Sequence, residues 1–393
     1  MAREPSFPPA FYLGLAATAL LFFGLQALFP TLPLYVLHVG GAPADNGLAI
    51  WVFALASVVL RPLSGLLADR WGCRPLVLSG ALLFGGAPLL YLLSWNIPTL
   101  LAVRAVHGAG LALYTTAYRA LATMLSPPAR RGEGLGLVGL ASALTTGIAP
   151  LAGEWLVENG GFSLLFAALG GLGLAAWGVT FGLPGGKGDP SAGTLAELRG
   201  ALRQKEVRLG ACAMGLLGLP YGGLVGFLPL LAEARGLGRV GWAYAAYALA
   251  LVLSGPLAGW FSDRVGRRTV ILPGATVVAL AAAGLAAMGS RWEMVCLTAL
   301  YGLGWGALRT GLDALIQDSV GPAMRASAVA AQYTCFDLGV GAGSWGLGAL
   351  AGAVGYGGAF GTAAMGAVLS LLLLRGLGRG PESPQRLKVE GEE

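Results

Sequence analysis

A ten-residue pattern of this chain occurs twice, identical at five of its ten positions. Gly65-Leu66-Leu67-Ala68-Asp69-Arg70-Trp71-Gly72-Cys73-Arg74 returns as Gly259-Trp260-Phe261-Ser262-Asp263-Arg264-Val265-Gly266-Arg267-Arg268, displaced by 194 residues at every position. Each copy closes one long apolar run and opens the next. An Asp and several Arg between two hydrophobic segments form a short charged hinge that cannot sit in hydrocarbon. The Gly four positions before the Asp allows that helix end to approach a neighbour closely. The same offset pairs Gly108 and Gly110 with Gly302 and Gly304, Pro128 with Pro322, and Arg131 with Arg325. Leu32-Pro33-Leu34 returns as Leu228-Pro229-Leu230 at an offset of 196, a two-residue difference in the first loop. The chain is therefore two homologous halves.

What those halves are made of follows from the runs between the hinges. Of 393 residues, 56% are hydrophobic and 11% charged, and the mean hydropathy is +0.71. These values exclude a disordered chain and argue against a soluble enzyme. A hydrocarbon core of ~30 Å needs about 20 apolar residues per crossing. Twelve such runs fall near 10–38, 44–68, 75–95, 99–125, 133–157, 161–183, 207–232, 240–262, 269–289, 293–319, 326–352 and 356–376. The expected fold is an all-α membrane protein of twelve transmembrane helices in two pseudo-twofold-related six-helix halves. Its parts are 1–183, a linker at 184–206, 207–378 and a tail at 379–393. The linker ends in Leu195, Leu198 and Leu202 among Arg199, Arg203 and Lys205, which reads as a basic amphipathic helix on the membrane surface.

The net charge of +6 does not point to nucleic acid, because the charges lie in short loops between apolar runs. Of the 25 Lys and Arg, 18 lie in the termini, the linker and the even-numbered loops or at the span ends adjoining them (Arg208, Arg375). Three (Arg235, Arg239, Arg291) lie in odd-numbered loops and four (Arg61, Arg104, Arg119, Arg309) inside spans. That asymmetry predicts cytoplasmic termini. Cys73, Cys212, Cys296 and Cys335 have neither metal nor disulfide spacing, and Cys73 is expected in a reagent-accessible loop. No cleavage site follows the first apolar run, which is read as a retained anchor. No cofactor, metal or catalytic residue is assigned, and no P-loop appears.

The hinge pattern G-x-x-x-D-R-x-G-x-R, present at Gly65, Asp69, Arg70, Gly72 and Arg74 and again at Gly259, Asp263, Arg264, Gly266 and Arg268, resembles the loop 2–3 signature of the major facilitator superfamily. The resemblance implies a transporter working by alternating access, whose hinge Asp is held by local Arg and by the start of span 11. It further implies that spans 1, 4, 7 and 10 line a central cavity. In span 4, Arg104, His107, Leu111, Thr115, Tyr118 and Arg119 share a stripe about 120° wide. Thr298, Tyr301, Trp305, Arg309, Leu312 and Asp313 share the matching stripe of span 10. Of these, Arg104, His107, Thr115, Tyr118, Arg119, Tyr301, Trp305 and Arg309 are the candidate substrate residues. Parallel duplication places such a site near the bilayer midplane.

Asp313, Asp337 and Glu154 are the candidate proton carriers, since ionisable groups inside spans are functional by default. Asp313 either pairs with Arg309 at i, i+4 or meets Arg119, its positional equivalent, at an inner gate. Asp337 stands beside Gln332 and Tyr333, with a packing role as its plainer reading, and Glu154 is expected to pair with Arg104. His107 either titrates or stays neutral and hydrogen-bonded. Gly147, Pro150 and Gly153 resemble the span-5 motif of drug–proton antiporters, with Ala149 and Glu154 where Gly is usual. The resemblance points to the bacterial efflux branch, although span 1 has no acidic residue and Cys73 stands where Arg or Lys is usual. The expectation is a monomer in the cytoplasmic (inner) membrane that exchanges protons for a small anionic or zwitterionic solute. Proton-coupled import and a transport-inactive sensor or scaffold are the alternatives.

Overall fold

The computed structural model describes residues 6–127, 130–185, 195–321 and 324–377. The linker stretch 186–194, the tail 379–393 and the repeat pair Pro128 and Pro322 lie outside the described residues. Every described element is helical. In order they are α1 (Pro9–His38), α2 (Pro43–Trp71), α3 (Cys73–Tyr91), α4 (Ile97–Leu125), α5 (Arg131–Thr180) and α6 (Leu195–Arg203). There follow α7 (Lys205–Ala234), α8 (Gly241–Val265), α9 (Arg268–Ala287), α10 (Arg291–Asp318) and α11 (Arg325–Arg375).

Two of these elements are hairpins. A straight 50-residue helix would be about 75 Å long, more than twice the hydrocarbon thickness. α5 instead breaks at Gly160 and Gly161, the latter at φ 66°. Its first arm brings Gly134 to Phe7 and Gly153 to the Ala27 carbonyl. The second arm runs back along α1, setting Phe162 on Tyr35 and Gly182 on Leu13. α11 breaks in the same way at Gly355, φ 71°. Its first arm packs Gly339 on Gly215 and Ser344 on Gly222, and its second returns from Phe360 at Gly223 to Gly376 near Leu209. With each arm counted as a pass, the chain makes twelve.

Nine helices among the described residues are long and apolar enough to cross a membrane. α10 is left out of that set because Arg309 and Asp313 interrupt its apolar run. Large apolar side chains face outward as well as inward, as lipid contact permits: Val59 (62%), Leu257 (68%) and Leu280 (63%) are exposed. Trp71, Trp95, Trp242, Trp260 and Trp292 are exposed near helix ends, where indole rings anchor at the headgroup level.

The chain divides into two compact units, 1–190 with 228–230 and 239–241, and the remainder. Inside each, the repeat reaches atomic detail. Asn96 caps α4 by accepting from the Thr99 N–H at 2.9 Å, and Ser290 caps α10 by accepting from the Glu293 N–H at 3.2 Å. A Cβ on Gly108 would strike the Phe53 carbonyl oxygen, and one on Gly302 would strike that of Tyr247. Gly80 lies against the backbone N of Tyr114, and Gly274 against that of Leu308. Each pair is separated by the same 194 residues. These contacts, rather than bulky side chains, bring the helix backbones together.

The hinge glycines have the same function in both copies. Gly72 at φ 87° and Gly266 at φ 100° end α2 and α8 in a backbone region that favours glycine. Gly65 differs from expectation, because the space beside it is open and no helix closes on it. Cys73 also differs: it begins α3 and is fully buried, not exposed in a loop.

Candidate functional site

The first unit keeps its span-4 charge to itself. Arg104 is 5% exposed. Its Nε donates to the Ala49 carbonyl at 3.1 Å and its Nη1 to the Tyr91 hydroxyl at 3.4 Å, while the guanidinium lies 4.2 Å over the Phe53 ring. The Tyr91 hydroxyl also meets Nδ1 of His107 at 3.2 Å. His107 is buried between Phe53 and Phe84, with ring centroids 5.3 and 5.2 Å away. Arg104 and His107 thus fasten α4 to α2 and α3.

Glu154 does not pair with Arg104. Its Oε1 accepts the backbone N–H groups of Val240 (2.8 Å) and Gly241 (3.0 Å), in the short segment 239–241 that groups with the first unit. Two backbone amide donors serve this carboxylate, while the Arg104 guanidinium is engaged by Ala49, Tyr91 and Phe53. Further along α4, the Thr115 hydroxyl donates back to the Leu111 carbonyl at 2.7 Å. Tyr118 is buried, stacks on Tyr114 at 5.6 Å and donates to the Phe11 carbonyl at 3.3 Å. Arg119 is exposed. On α5, Gly153 packs on Ala27, and Gly147 and Pro150 lie within the first arm.

In the second unit the matching helix is differently furnished. Tyr301, Trp305, Arg309 and Asp313 stand four residues apart along α10 and form one column. Trp305 is buried and stacks on Tyr221 of α7 at 5.7 Å. It also lies 5.1 Å from Phe336 of α11 and 6.4 Å from Tyr301. Tyr247 of α8 closes the group, 6.2 Å from Tyr301 and 6.4 Å from Tyr221.

One turn below Trp305 the aromatic cluster gives way to charge. The Tyr333 hydroxyl accepts from Nε of Arg309 at 2.8 Å and donates to Oδ2 of Asp313 at 2.9 Å. Gln332 donates from Nε2 to the other oxygen, Oδ1, at 2.8 Å. Arg309 Nε and Asp313 Oδ2 are 3.9 Å apart, so a tyrosine bridges a pair that α10 alone holds loosely. Gln332 and Tyr333 therefore serve Asp313, not Asp337. Asp337 sits one turn beyond Tyr333, within electrostatic reach of Tyr221. The Arg309 side chain is 43% exposed and that of Asp313 26%. This charge is partly exposed, whereas Arg104 is sealed.

The hinges diverge as well. In the second unit Arg267 donates from Nη1 to the Ser262 hydroxyl at 3.0 Å and from Nε to Oδ2 of Asp318 at 3.0 Å. It also forms an ion pair with Asp263. Partial burial works against the Arg267 charge, but the bonds to Asp263 and Asp318 outweigh it and hold its pKa above the ordinary arginine value. In the first unit Cys73 occupies the equivalent position. Asp69 has no hydrogen bond or ion pair within its own unit among the described residues, and Arg74 donates to the Phe181 carbonyl at 3.1 Å instead. The Arg264 guanidinium lies 3.6 Å over the Trp260 ring, and Arg268 donates to the Arg375 carbonyl at 2.7 Å.

Tyr221, Tyr247 and Phe336 belong to the site but do not stand out in the sequence. The available signal was the offset: Tyr333 stands where the first half has Gly139, and Phe336 where it has Ser142. A large aromatic replacing a small residue at a repeated helix contact marks a surface given a new use.

Comparison with known proteins bears on the whole chain. Quinolone resistance protein NorA of Staphylococcus aureus is 25% identical over 160 residues, 40% of this chain and 40% of its own. The uncharacterized MFS-type transporter MJ1560 of Methanocaldococcus jannaschii is 28% identical over 153 residues, 39% of this chain and 40% of its own. The match thus spans well under half the length of these relatives. Among solved structures, the nucleoside transporter NupG superposes with a TM-score of 0.77 at 14% identity, covering 93% of this chain and 99% of NupG. The human organic anion transporter MFSD10 gives 0.67 at 16%, covering 93% and 100%. An inward-facing bacterial homolog of the human lysosomal transporter Spinster gives 0.75 at 17%, covering 94% and 96%. These likenesses carry the fold alone. The description of the Major Facilitator Superfamily matches residues 14–240 and again 210–393, so the two repeated halves together make this chain a member of that family of membrane carriers.

Proposed function

We propose that the chain is a proton-coupled exporter of a small organic solute, working by alternating access. It acts as a monomer in a cytoplasmic membrane, with both termini on the cytoplasmic side. The observation that carries this reading is the Arg309–Tyr333–Asp313–Gln332 network, which holds a partly exposed carboxylate within the apolar bundle. A carboxylate there is costly unless it is used, and accepting a proton is what such groups do. The likeness to NorA, a resistance protein by name, and the span-5 residues Gly147, Pro150 and Gly153 favour export over import.

Asp313 is the proton carrier in this reading, and Arg309, Trp305 and the rings around them form the substrate wall. Asp337 supports the same wall, while Glu154 serves the scaffold. Asp69, unclaimed inside its own unit, is available to fasten the cytoplasmic gate, whereas Asp263 is committed to Arg267.

The test is transport in proteoliposomes with and without an imposed pH gradient, over a panel of organic solutes. Export requires a gradient acid on the destination side to drive solute accumulation there. Accumulation driven by a gradient of the opposite sense makes the chain a symporter, and no gradient dependence removes the proton.

A further inference from the structure

We propose that the solute carried at this site is an aromatic zwitterion, with its ring against Tyr221, Tyr333 and Phe336, its carboxylate on Arg309 and its ammonium on Asp313. The inference rests on the preceding reading of this site as the place where substrate and proton bind, and it names the class.

The argument begins with what Arg309 leaves over. Its only hydrogen bond among the described residues uses Nε, on the Tyr333 hydroxyl, and its guanidinium lies 5.1 Å from the centre of the Tyr333 ring. The two terminal nitrogens form the end of the guanidinium fork, on a side chain 43% exposed. That end matches a carboxylate in a bidentate pair. Asp313 supplies the opposite pole one turn away. Gln332 and Tyr333 are among its partners, each placing one neutral donor on it, one per oxygen. Its 26% exposure leaves room for an ammonium to approach.

The charges exclude the simpler ligands. A lone cation drawn to Asp313 meets Arg309, and a lone anion drawn to Arg309 meets Asp313. A molecule carrying both signs turns both contacts favourable. It exchanges a loose internal pair, 3.9 Å apart, for two direct ones. The aromatic part follows from the neighbours. Tyr221, Tyr333 and Phe336 are half-buried, and Trp305, Tyr247 and Tyr301 are buried behind them. The outer rings are held in place and present faces suited to offset or edge contact with a planar ligand.

Proton coupling has a definite sign in this arrangement. Protonated Asp313 and a substrate ammonium combine to give the carboxylate–ammonium pair and one free proton. Proton and solute therefore exclude one another at Asp313, as exchange requires. Among the described residues of the second unit, the charged and titratable groups facing this centre include Arg309 on α10, Tyr333 and Asp337 on α11, Tyr247 on α8 and Tyr221 on α7. Arg267, at the start of α9, is held on Asp263 and Asp318.

Two aromatic skeletons decide the matter, tryptophan and 4-(aminomethyl)benzoic acid, each as the zwitterion, the methyl ester and the N-acetyl derivative. Binding to the purified full chain is measured by calorimetry in buffers of different ionisation enthalpy, which counts protons released. The expected result is tightest binding of a zwitterion, with release of up to about one proton per molecule as pH falls. Arg309→Gln should weaken the zwitterion about tenfold but bind the cationic ester at least as tightly as the wild type does. Asp313→Asn should weaken the zwitterion comparably and abolish proton release. The ester's retained binding to Arg309→Gln shows that the variant folds. Tighter binding of the ester or the N-acetyl compound overturns the proposal. So does failure of all six to bind while gradient-driven transport of another solute persists in vesicles. In that last case the transporter reading stands and only the class falls.

Discussion

The two six-helix units share a frame and differ in how they use charge. Gly108 against Phe53 and Gly302 against Tyr247 set the same helix crossing, and Asn96 and Ser290 start the same helices. Yet Arg104 disappears into the seam of α2, α3 and α4, whereas Arg309 and Asp313 remain half-open beside Tyr333. The hinge reverses the contrast, with Asp263 clasped by Arg267 and Asp69 without a hydrogen bond or ion pair in its unit among the described residues. The lesson is that backbone contacts made by glycine conserve a fold across a duplication while leaving side chains free to diverge. A cation buried with aromatic and carbonyl partners stabilises; the same cation left open beside a carboxylate can bind an anion.

The strongest way to break the shared-frame half of this comparison is to remove a crossing. Gly108→Leu and Gly302→Leu each place a side chain into a facing backbone carbonyl that cannot yield. Both should prevent recovery of folded, monodisperse protein, as judged by size-exclusion chromatography in detergent. Survival of one variant would show that the units do not depend on this contact equally.

The divergent half is sharpened by paired arginine variants. Arg104→Ala strips a partner from the Tyr91 hydroxyl and the second acceptor contact from the Ala49 carbonyl in an apolar seam, costing about 2–4 kcal/mol. Arg309→Ala, at a half-exposed pair, should cost under about 1 kcal/mol while removing transport. Thermal melts alongside flux assays separate the two. Equal destabilisation would mean that Arg309 is structural too. A double-mutant cycle adds resolution: Asp313→Asn should couple to Arg309→Gln and Tyr333→Phe. Strong coupling to Arg119→Gln would instead make Asp313 part of a gate.

The smallest effect concerns the hinge. Arg267→Ala removes two partly exposed ion pairs and should lower stability by about 1 kcal/mol. Cys73, buried at the start of α3, should resist a membrane-impermeant maleimide in the folded protein and react once denatured. Rapid labelling of the native chain would place Cys73 outside the first unit's core.

Much of this frame was legible in the sequence because repetition and hydropathy are properties of the chain itself. The twelve passes, the hinges at Asp69 and Asp263 and the tight glycines at 108, 110, 302 and 304 follow from spacing alone. The wheel also placed Arg309 and Asp313 on one column. It did not reveal that Tyr333 bridges them, because the register of α11 against α10 is set by packing rather than periodicity. For the same reason Arg104 looked like a cavity residue. A helical wheel fixes which residues share a face, and only α2 and α3 determine what that face meets. Glu154 illustrates the limit from the other side, since its partners are backbone N–H groups and no residue-type pattern marks them.

The central claim, that one carboxylate of the second unit carries the proton, is tested most directly by separating net transport from exchange. Proteoliposomes holding Asp313→Asn are assayed for solute accumulation under a pH gradient and for solute–solute counterflow without one. The account predicts that accumulation is lost while counterflow persists, because the neutral side chain still permits alternation but can no longer take up or release a proton. Gradient-driven accumulation at the wild-type level in Asp313→Asn would contradict it.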